Sequence, residues 1–456
     1  MRAWTFWRRS TPSRLTAGTF LVAIVVGTLG LRFVPAFYTT GVPLGWIDAL
    51  FMATSAICVT GLIVVDTATH FSRLGQGFLL VLIQFGGLGM ITITSLIILG
   101  LGGRLSVRTE AVTTQLASTL RGVNTFHLAR DVVVFTLLVE MIGALVLFAA
   151  FRQHFSAGDA LWHAVFHAVS AFCNAGFSTF TDSLMPWASS APVMISIMVL
   201  IIVGGLGFLT LEEVAIRIRA RGTTQRVRLS LHSRIVFVAT ALALLSGWLL
   251  FTAFEWDGVL RELAPAARVM NGLFLSVTAR TAGFNSITYA EAGDATNFLT
   301  ILLMMVGGAP GSTAGGLKIT TIAVIGILAW SRLRGSTNVS AWSRTIPDET
   351  VQRAVGVCVF AFACVGLAIF LYTAFEKPAA PGTAFLRVVF EAVSAFNTVG
   401  LSLGATGELT APSRVLTTVL MFIGRIGPLS FAAALALRAR GTRRHYSYAR
   451  EDVSIG

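Results

Sequence analysis

SAICVTGL, residues 55–62, is a short run of small and apolar side chains that closes on one glycine, Gly61. The same phrase returns three times, as SAFCNAGF at 170–177, VTARTAGF at 277–284 and SAFNTVGL at 394–401. Their glycines, Gly61, Gly176, Gly283 and Gly400, stand 115, 107 and 117 residues apart, so the chain is a fourfold repeat. The flanks keep register as well. Ten residues before each glycine stand Phe51, Phe166, Leu273 and Phe390; six before stand Ser55, Ser170, Val277 and Ser394; one after stand Leu62, Phe177, Phe284 and Leu401. One such segment alone reads as a site where helices pack through small residues. Four in register read as one element used four times about a common axis.

The surroundings of these turns place them in a membrane. Of 456 residues, 55% are hydrophobic and 12% charged, with a mean hydropathy of +0.78, which leaves too little charge to cover a water-soluble surface. Apolar runs lie near 15–34, 78–100, 131–151, 190–216, 235–254, 296–330, 351–374 and 413–437. Each is long enough to cross a hydrocarbon core of about 30 Å at about 1.5 Å per residue. The first follows Arg2, Arg8, Arg9 and Arg14, but it exceeds the apolar core of a secretory signal and has no small-residue cleavage site. It reads as a retained span.

The net charge of +13 raises nucleic acid as a partner, and the placement of the charges argues against it. Twenty-three of the 34 basic residues fall at the N-terminus, in 104–130, 217–234 and 332–353, and in the tail from Arg438 to Arg450. They alternate with segments poor in Lys and Arg, such as 35–48 and 178–193. That is the positive-inside pattern, with both termini and three loops in the cytoplasm. Its partners are membrane lipids and an acidic face of a cytoplasmic protein rather than nucleic acid.

With this topology each glycine turn starts from the outer side. The apolar stretches before the turns, 46–57, 161–172, 266–279 and 384–396, are too short to cross and read as re-entrant half-helices. The fold class is therefore an all-α membrane protein: transmembrane helix, re-entrant pore helix, filter turn and transmembrane helix, repeated four times around one central pore. The repeats cover 1–105, 106–222, 223–336 and 337–456.

Such a site suits a potassium ion. Stripping water from a cation costs on the order of tens of kcal/mol unless other oxygens replace the hydration shell. Backbone carbonyls do so when successive residues turn them toward one axis, which needs positive φ at some positions, a conformation that glycine adopts freely. The filter residues are then Val59, Thr60 and Gly61; Asn174, Ala175 and Gly176; Thr281, Ala282 and Gly283; and Thr398, Val399 and Gly400. None is ionisable, so no fixed charge traps the ion. The pore helices point their partly negative C-terminal ends at the same cavity.

The second spans add further signals. Gln84-Phe85-Gly86-Gly87-Leu88-Gly89 and Val203-Gly204-Gly205-Leu206-Gly207 match one another and read as close helix packing. In the third repeat, Gly307, Gly308, Ala309, Pro310, Gly311, Ser312, Thr313, Ala314, Gly315, Gly316, Leu317 and Lys318 interrupt an apolar stretch. No continuous helix is expected there. Irregular backbone at membrane depth lines a cavity, so the segment reads as a loop beneath the filter. Only this repeat is expected to have a broken second span.

The four turns and these second spans resemble the Ktr/Trk/HKT superfamily of potassium transporters over nearly the whole chain. With its first repeat starting almost at the N-terminus, the chain is most similar to the KtrB branch, the ion-translocating membrane subunits of Ktr systems. The resemblance implies potassium uptake through the filter, with residues 307–318 as an intramembrane gating loop. It implies that Arg425 is the family's arginine in the fourth inner span, limiting flux or sensing that loop. It implies a homodimer and a cytoplasmic ring of KtrA-like subunits that carries ATP or ADP; this chain holds no cofactor, and K⁺ is its transported ion. A TrkH-like or HKT-like transporter of different coupling or selectivity is the alternative.

Other features compete for the reading. The glycine-rich loop is no nucleotide P-loop, because Leu317 separates Gly316 from Lys318 and no soluble strand precedes it. Gly400-Leu401-Ser402-Leu403-Gly404 satisfies G-x-S-x-G but follows a pore helix, which leaves an intramembrane hydrolase using Ser402 as a remote alternative. A carrier with a carboxylate ion site has Glu140, Glu212, Glu213 and Glu391 to draw on. His163 and His167 read as a polar helix face near the outer surface rather than a metal site. Arg280, Lys318 and Arg425 are basic residues at membrane depth, which mark a pathway or a paired structural site. For Arg425 the structural partners are Glu391, Glu212 or backbone carbonyls; for Arg280 a scaffold role on carbonyl oxygens behind the filter is favoured. Cys58, Cys173, Cys358 and Cys364 read as reduced core residues.

Overall fold

Each repeat begins with a long apolar helix and continues with a short one that cannot cross. The first repeat contains α1 (Pro12–Phe33), α2 (Trp46–Ile57) and α3 (Arg73–Gly87). The second contains α4 (Thr125–Phe151), α5 (Ala157–Phe172), α6 (Ala191–Gly205) and α7 (Phe208–Arg219). The third contains α8 (Leu231–Glu255), α9 (Pro265–Thr278), α10 (Asp294–Met304) and α11 (Ile319–Leu333). The fourth contains α12 (Asp348–Phe375), α13 (Ala384–Phe396) and α14 (Ala411–Ile426). This computed structural model describes residues 12–88, 125–220, 228–376 and 384–427. Most of the basic segment 104–130 and the whole tail from Arg438 lie outside the described residues.

Helices α1, α4, α8 and α12 have the length and hydropathy to cross a bilayer. Each packs on the pore helix of its own repeat, α2, α5, α9 or α13. The helix after the turn packs on the pore helix of the next repeat: α3 on α5, α6 on α9, α10 on α13, and α14 back on α2. The fourth repeat thus meets the first and the ring closes. Two charge pairs lie on its seams, Arg73 with Asp159 and, at 2.5 Å, Arg414 with Asp48.

Local sequence explains the helix starts. Ser72 and Ser156 cap α3 and α5 by accepting from Gly75 and Asp159 backbone N–H groups. Helices α6, α9 and α14 begin with proline in the first two positions, where a missing N–H is harmless.

Two expectations about the repeats change. The second span of repeat two does not run through 190–216: α6 and α7 meet at 98°, with Gly207 at a φ of 82°. Backbone bonds from the third repeat hold the bend, since Ala309 donates to Gly205, Thr313 to Gly204, and Phe208 to Gly311. The broken span of repeat three is present, with irregular backbone between α10 and α11. The register of repeat three is also displaced by one residue. Phe51, Phe166 and Phe390 are fully buried, and their counterpart is Phe274 rather than Leu273. The turns close from Thr60 to Ser55, Ala175 to Ser170 and Val399 to Ser394, but from Ala282 to Thr278 rather than Val277.

Candidate functional site

The four filter turns share one backbone pattern. The glycines Gly61, Gly176, Gly283 and Gly400 have φ of 91°, 68°, 77° and 95°. Two residues earlier, Val59, Asn174, Thr281 and Thr398 also have positive φ, at 56°, 58°, 69° and 51°. The residues between them, Thr60, Ala175, Ala282 and Val399, do not. Alternation between positive and negative φ departs from a regular strand and allows successive carbonyls to turn to one side, where a strand would alternate them. Each non-glycine residue held there costs about 1–2 kcal/mol, and three of the four are β-branched. Sequence reasoning assigned the special conformation to glycine and missed these partners.

A hydroxyl from each pore helix holds its turn. Ser55 and Ser394 accept from the N–H groups of Gly61 and Gly400, both at 3.1 Å. Ser170 and Thr278 instead donate to the carbonyls of Phe177 and Phe284, at 2.7 and 2.8 Å.

The four glycines form a ring without room for side chains. A Cβ on Gly61 would stand 2.5 Å from the Ala175 carbonyl oxygen, and one on Gly176 2.8 Å from that of Ala282. On Gly283 it would stand 2.5 Å from that of Val399, and on Gly400 it would overlap the carbonyl oxygen of Thr60. The order runs from repeat one through four and back to one, so the ring is closed by a single chain.

On one side the ring is the floor of a vestibule of about 400 Å³. All four glycines line it, together with Asp66 and Asp182, and no basic side chain does among the described residues. Asp66 also accepts from Thr181 of the second repeat at 3.0 Å, tying two loops together. These two carboxylates escaped the sequence reading; they lie in irregular loops with no motif around them.

On the other side lies the loop 307–318, bonded directly to repeats two and four and linked to repeat one through Arg425. Thr313 donates through its hydroxyl to Phe172 at the end of α5, 3.1 Å away. Gly316 donates to Gly424 of α14 at 3.2 Å, and Leu317 to the Asn397 side chain at 3.2 Å. Arg425, buried in α14, donates to the Thr313 carbonyl of the loop and to the Gly86 carbonyl of α3. Of its expected structural partners it takes backbone carbonyls, not Glu391 or Glu212. Arg280 donates to Gly307 at 3.2 Å, so its carbonyl partner is on the loop and not on the filter. Lys318 donates to Ala314 at 2.6 Å, within the loop itself. Gly307, Gly308, Gly315 and Gly316 are buried against backbone or side chains, whereas Pro310, Gly311 and Ser312 are partly exposed.

The paired glycines of the second spans permit this closeness. A Cβ on Gly86, Gly204 or Gly424 would overlap the carbonyl of Ile57, Phe172 or Phe396, each four residues before a filter glycine. The pore helices therefore end directly on these spans.

The competing features are dispersed onto local partners. Glu140 accepts from Gln84 at 3.1 Å, and Glu213 accepts from Ser230 and Ser233 at the start of α8. Ser402 donates to Glu391, and no histidine is among its partners. His167 is completely buried, which corrects its placement on an outer polar face; burial beside Phe151 and Phe180 explains why a helical spacing of polar residues misled. No group of three metal-ligating side chains occurs among the described residues. Cys58, Cys173 and Cys358 are buried free thiols and Cys364 is a partly buried one.

Comparison with known proteins agrees with this architecture. Residues 4–440 match the TrkH family, described as cation transport protein. The chain is 34% identical to the potassium/sodium uptake protein NtpJ of Enterococcus hirae, over 98% of each. It is 37% identical to Ktr system potassium uptake protein B of Bacillus subtilis, over 96% of each. The solved structure of the potassium transporter TrkH from Vibrio parahaemolyticus superposes with a TM-score of 0.73 at 17% identity, covering 94% of this chain and 85% of that one. The four-repeat fold is common to both.

Proposed function

The chain belongs to the TrkH family of cation transport proteins, a multi-pass membrane family, and from that premise we propose that it takes up potassium through the ring of four turns. The observation that carries this reading is the closed ring of Gly61, Gly176, Gly283 and Gly400, with the same alternating backbone behind each. The carbonyls of Val59, Thr60, Asn174, Ala175, Thr281, Ala282, Thr398 and Val399, with those of the glycines, replace the water of a dehydrating ion. The vestibule faces outward, where Asp66 and Asp182 raise the local cation concentration. Both termini are then cytoplasmic.

The loop 307–318 is the gate. It crosses beneath the filter and is held by Arg425, Gly424, Asn397 and Phe172, so a change at the cytoplasmic ends of these spans reaches it through backbone bonds. Three relatives bear the name of a Ktr system, which supports regulation by a separate cytoplasmic ring. In this proposal the membrane subunit is a homodimer and the KtrA-like ring binds ATP or ADP. The second reading is a transporter that also admits sodium, which the potassium/sodium name of NtpJ favours.

The test is rubidium uptake, with sodium competition, in cells lacking other potassium uptake, for Gly61→Ser, Gly176→Ser, Gly283→Ser and Gly400→Ser. The expected result is a loss of rate or of K⁺/Na⁺ discrimination in each. Four variants with wild-type rate and discrimination would exclude the filter. Low discrimination in the wild-type protein favours the sodium-admitting reading.

A further inference from the structure

The loops that leave the filter turns are held in two different ways. In repeats two and four the pore-helix residue after the buried phenylalanine is polar: His167 follows Phe166, and Glu391 follows Phe390. In repeats one and three Met52 and Leu275 stand there, after Phe51 and Phe274. His167 and Glu391 are shut from solvent, with 0% and 1% exposure. Each reaches along its own repeat to the serine two residues beyond the filter glycine. His167 Nε2 lies 3.0 Å from Ser178 Oγ, and Glu391 Oε1 meets Ser402 Oγ.

The two arrangements repeat bond for bond. Ser178 Oγ accepts the N–H of Phe180 at 2.9 Å, and Ser402 Oγ accepts that of Gly404 at 3.0 Å. His167 Nδ1 lies 2.7 Å from the His163 carbonyl, which can only accept, so Nδ1 carries the hydrogen and Nε2 accepts from Ser178. Glu391 likewise accepts from Ser402, and from Thr406 at 3.0 Å. In each repeat a backbone N–H donates to a hydroxyl that donates to a buried acceptor. Repeats one and three have Ile63 and Asn285 at the serine position. Gly176 and Gly400 are not neighbours in the ring, so the two braces stand across the axis from one another.

We propose that His167 and Glu391 are positioning residues that hold the outer mouth of strands two and four and thereby set the discrimination between potassium and sodium. This rests on the filter reading of the four turns. Sodium is the smaller ion, and carbonyls that move inward coordinate it well. A buried brace behind two opposite strands resists that inward movement along one diameter, while leaving the carbonyls themselves untouched.

Rubidium uptake and its inhibition by sodium test the idea in potassium-uptake-deficient cells. The variants are Ser178→Ala, Ser402→Ala, His167→Phe, Glu391→Met, His167→Gln and Glu391→Gln, with Gly176→Ser alongside. Membrane abundance and thermal stability in detergent identify the folded proteins. Loss of either brace is expected to lower the K⁺/Na⁺ ratio about tenfold, the effect of one buried hydrogen bond, with a much smaller change in maximal rate. Both glutamine variants keep an acceptor for the serine and should recover most of the ratio. If His167→Phe or Glu391→Met does not accumulate, the serine variants, which remove one oxygen each, decide. Folded serine variants with a wild-type ratio, beside a Gly176→Ser variant that has lost it, would overturn the braces and leave the filter standing. Glutamine variants as unselective as Phe and Met would also overturn them. Wild-type rate and ratio together in Gly176→Ser would remove the filter reading of that turn and the proposal with it.

Discussion

The two sides of the glycine ring are built on opposite plans. Toward the vestibule the four turns are near copies, each with a positive φ at the glycine and again two residues before it. Toward the loop the second spans differ. Helix α6 bends sharply into α7, with a φ of 82° at Gly207, whereas α10 gives way to irregular backbone. On the proposed filter reading, an ion between four turns needs equal ligands from all of them, so symmetry is kept on that side. A gate needs one element able to move against fixed neighbours, and a gate of four identical parts in one small pore would collide with itself. The asymmetry is concentrated in repeat three, which supplies both the loop and the displaced pore-helix register.

Arg425→Leu is the sharpest way to break this contrast. It removes charge-assisted bonds to Thr313 and Gly86, each worth about 1.5–3 kcal/mol, which cuts the loop's link to the first repeat and leaves only the Gly316 and Leu317 bonds to the fourth. Maximal rubidium uptake should rise about tenfold, since 1.4 kcal/mol corresponds to that factor, with the K⁺/Na⁺ ratio unchanged. A fall in the ratio would mean that the loop side shapes the filter. A smaller effect is expected on the vestibule side from Asp66→Asn combined with Asp182→Asn. Apparent KM for rubidium should rise about threefold at low ionic strength and by much less in high salt, because exposed charges are screened. A change in maximal rate instead would place these acids in the translocation step. The smallest effect belongs to Gly311→Ala. Nothing lies within 4 Å of its Cβ, so only the φ of 72° resists, at about 1 kcal/mol. Uptake should stay within about twofold of wild type by the same assay, and a larger change would show that the loop tip moves through a crowded state.

The architecture was legible because hydropathy, charge alternation and a spaced motif all report on the bilayer. The first span of each repeat, the pore helices and the broken third repeat follow from them. The site was legible only in part. Glycine announces positive φ, but Val59, Thr281 and Thr398 have β-branched side chains that disfavour it, and only burial among neighbouring strands holds them there. The bend at Gly207 had a visible sign, a glycine pair like that of repeat one, yet the same glycines also serve straight helix packing. Which role they take depends on the third-repeat backbone that bonds to them.

By itself the sequence determined that this chain lies in a membrane, that it is four repeats, and which twelve residues line the turns, because each of these is written in local composition and spacing. The tertiary structure alone decided the partners of the buried charged and polar groups. Arg425 and Arg280 meet carbonyls of the loop, and His167 and Glu391 meet serines beyond the glycines. The arginine partners are distant in sequence, and a buried polar group takes whichever complementary atom the packing brings within reach.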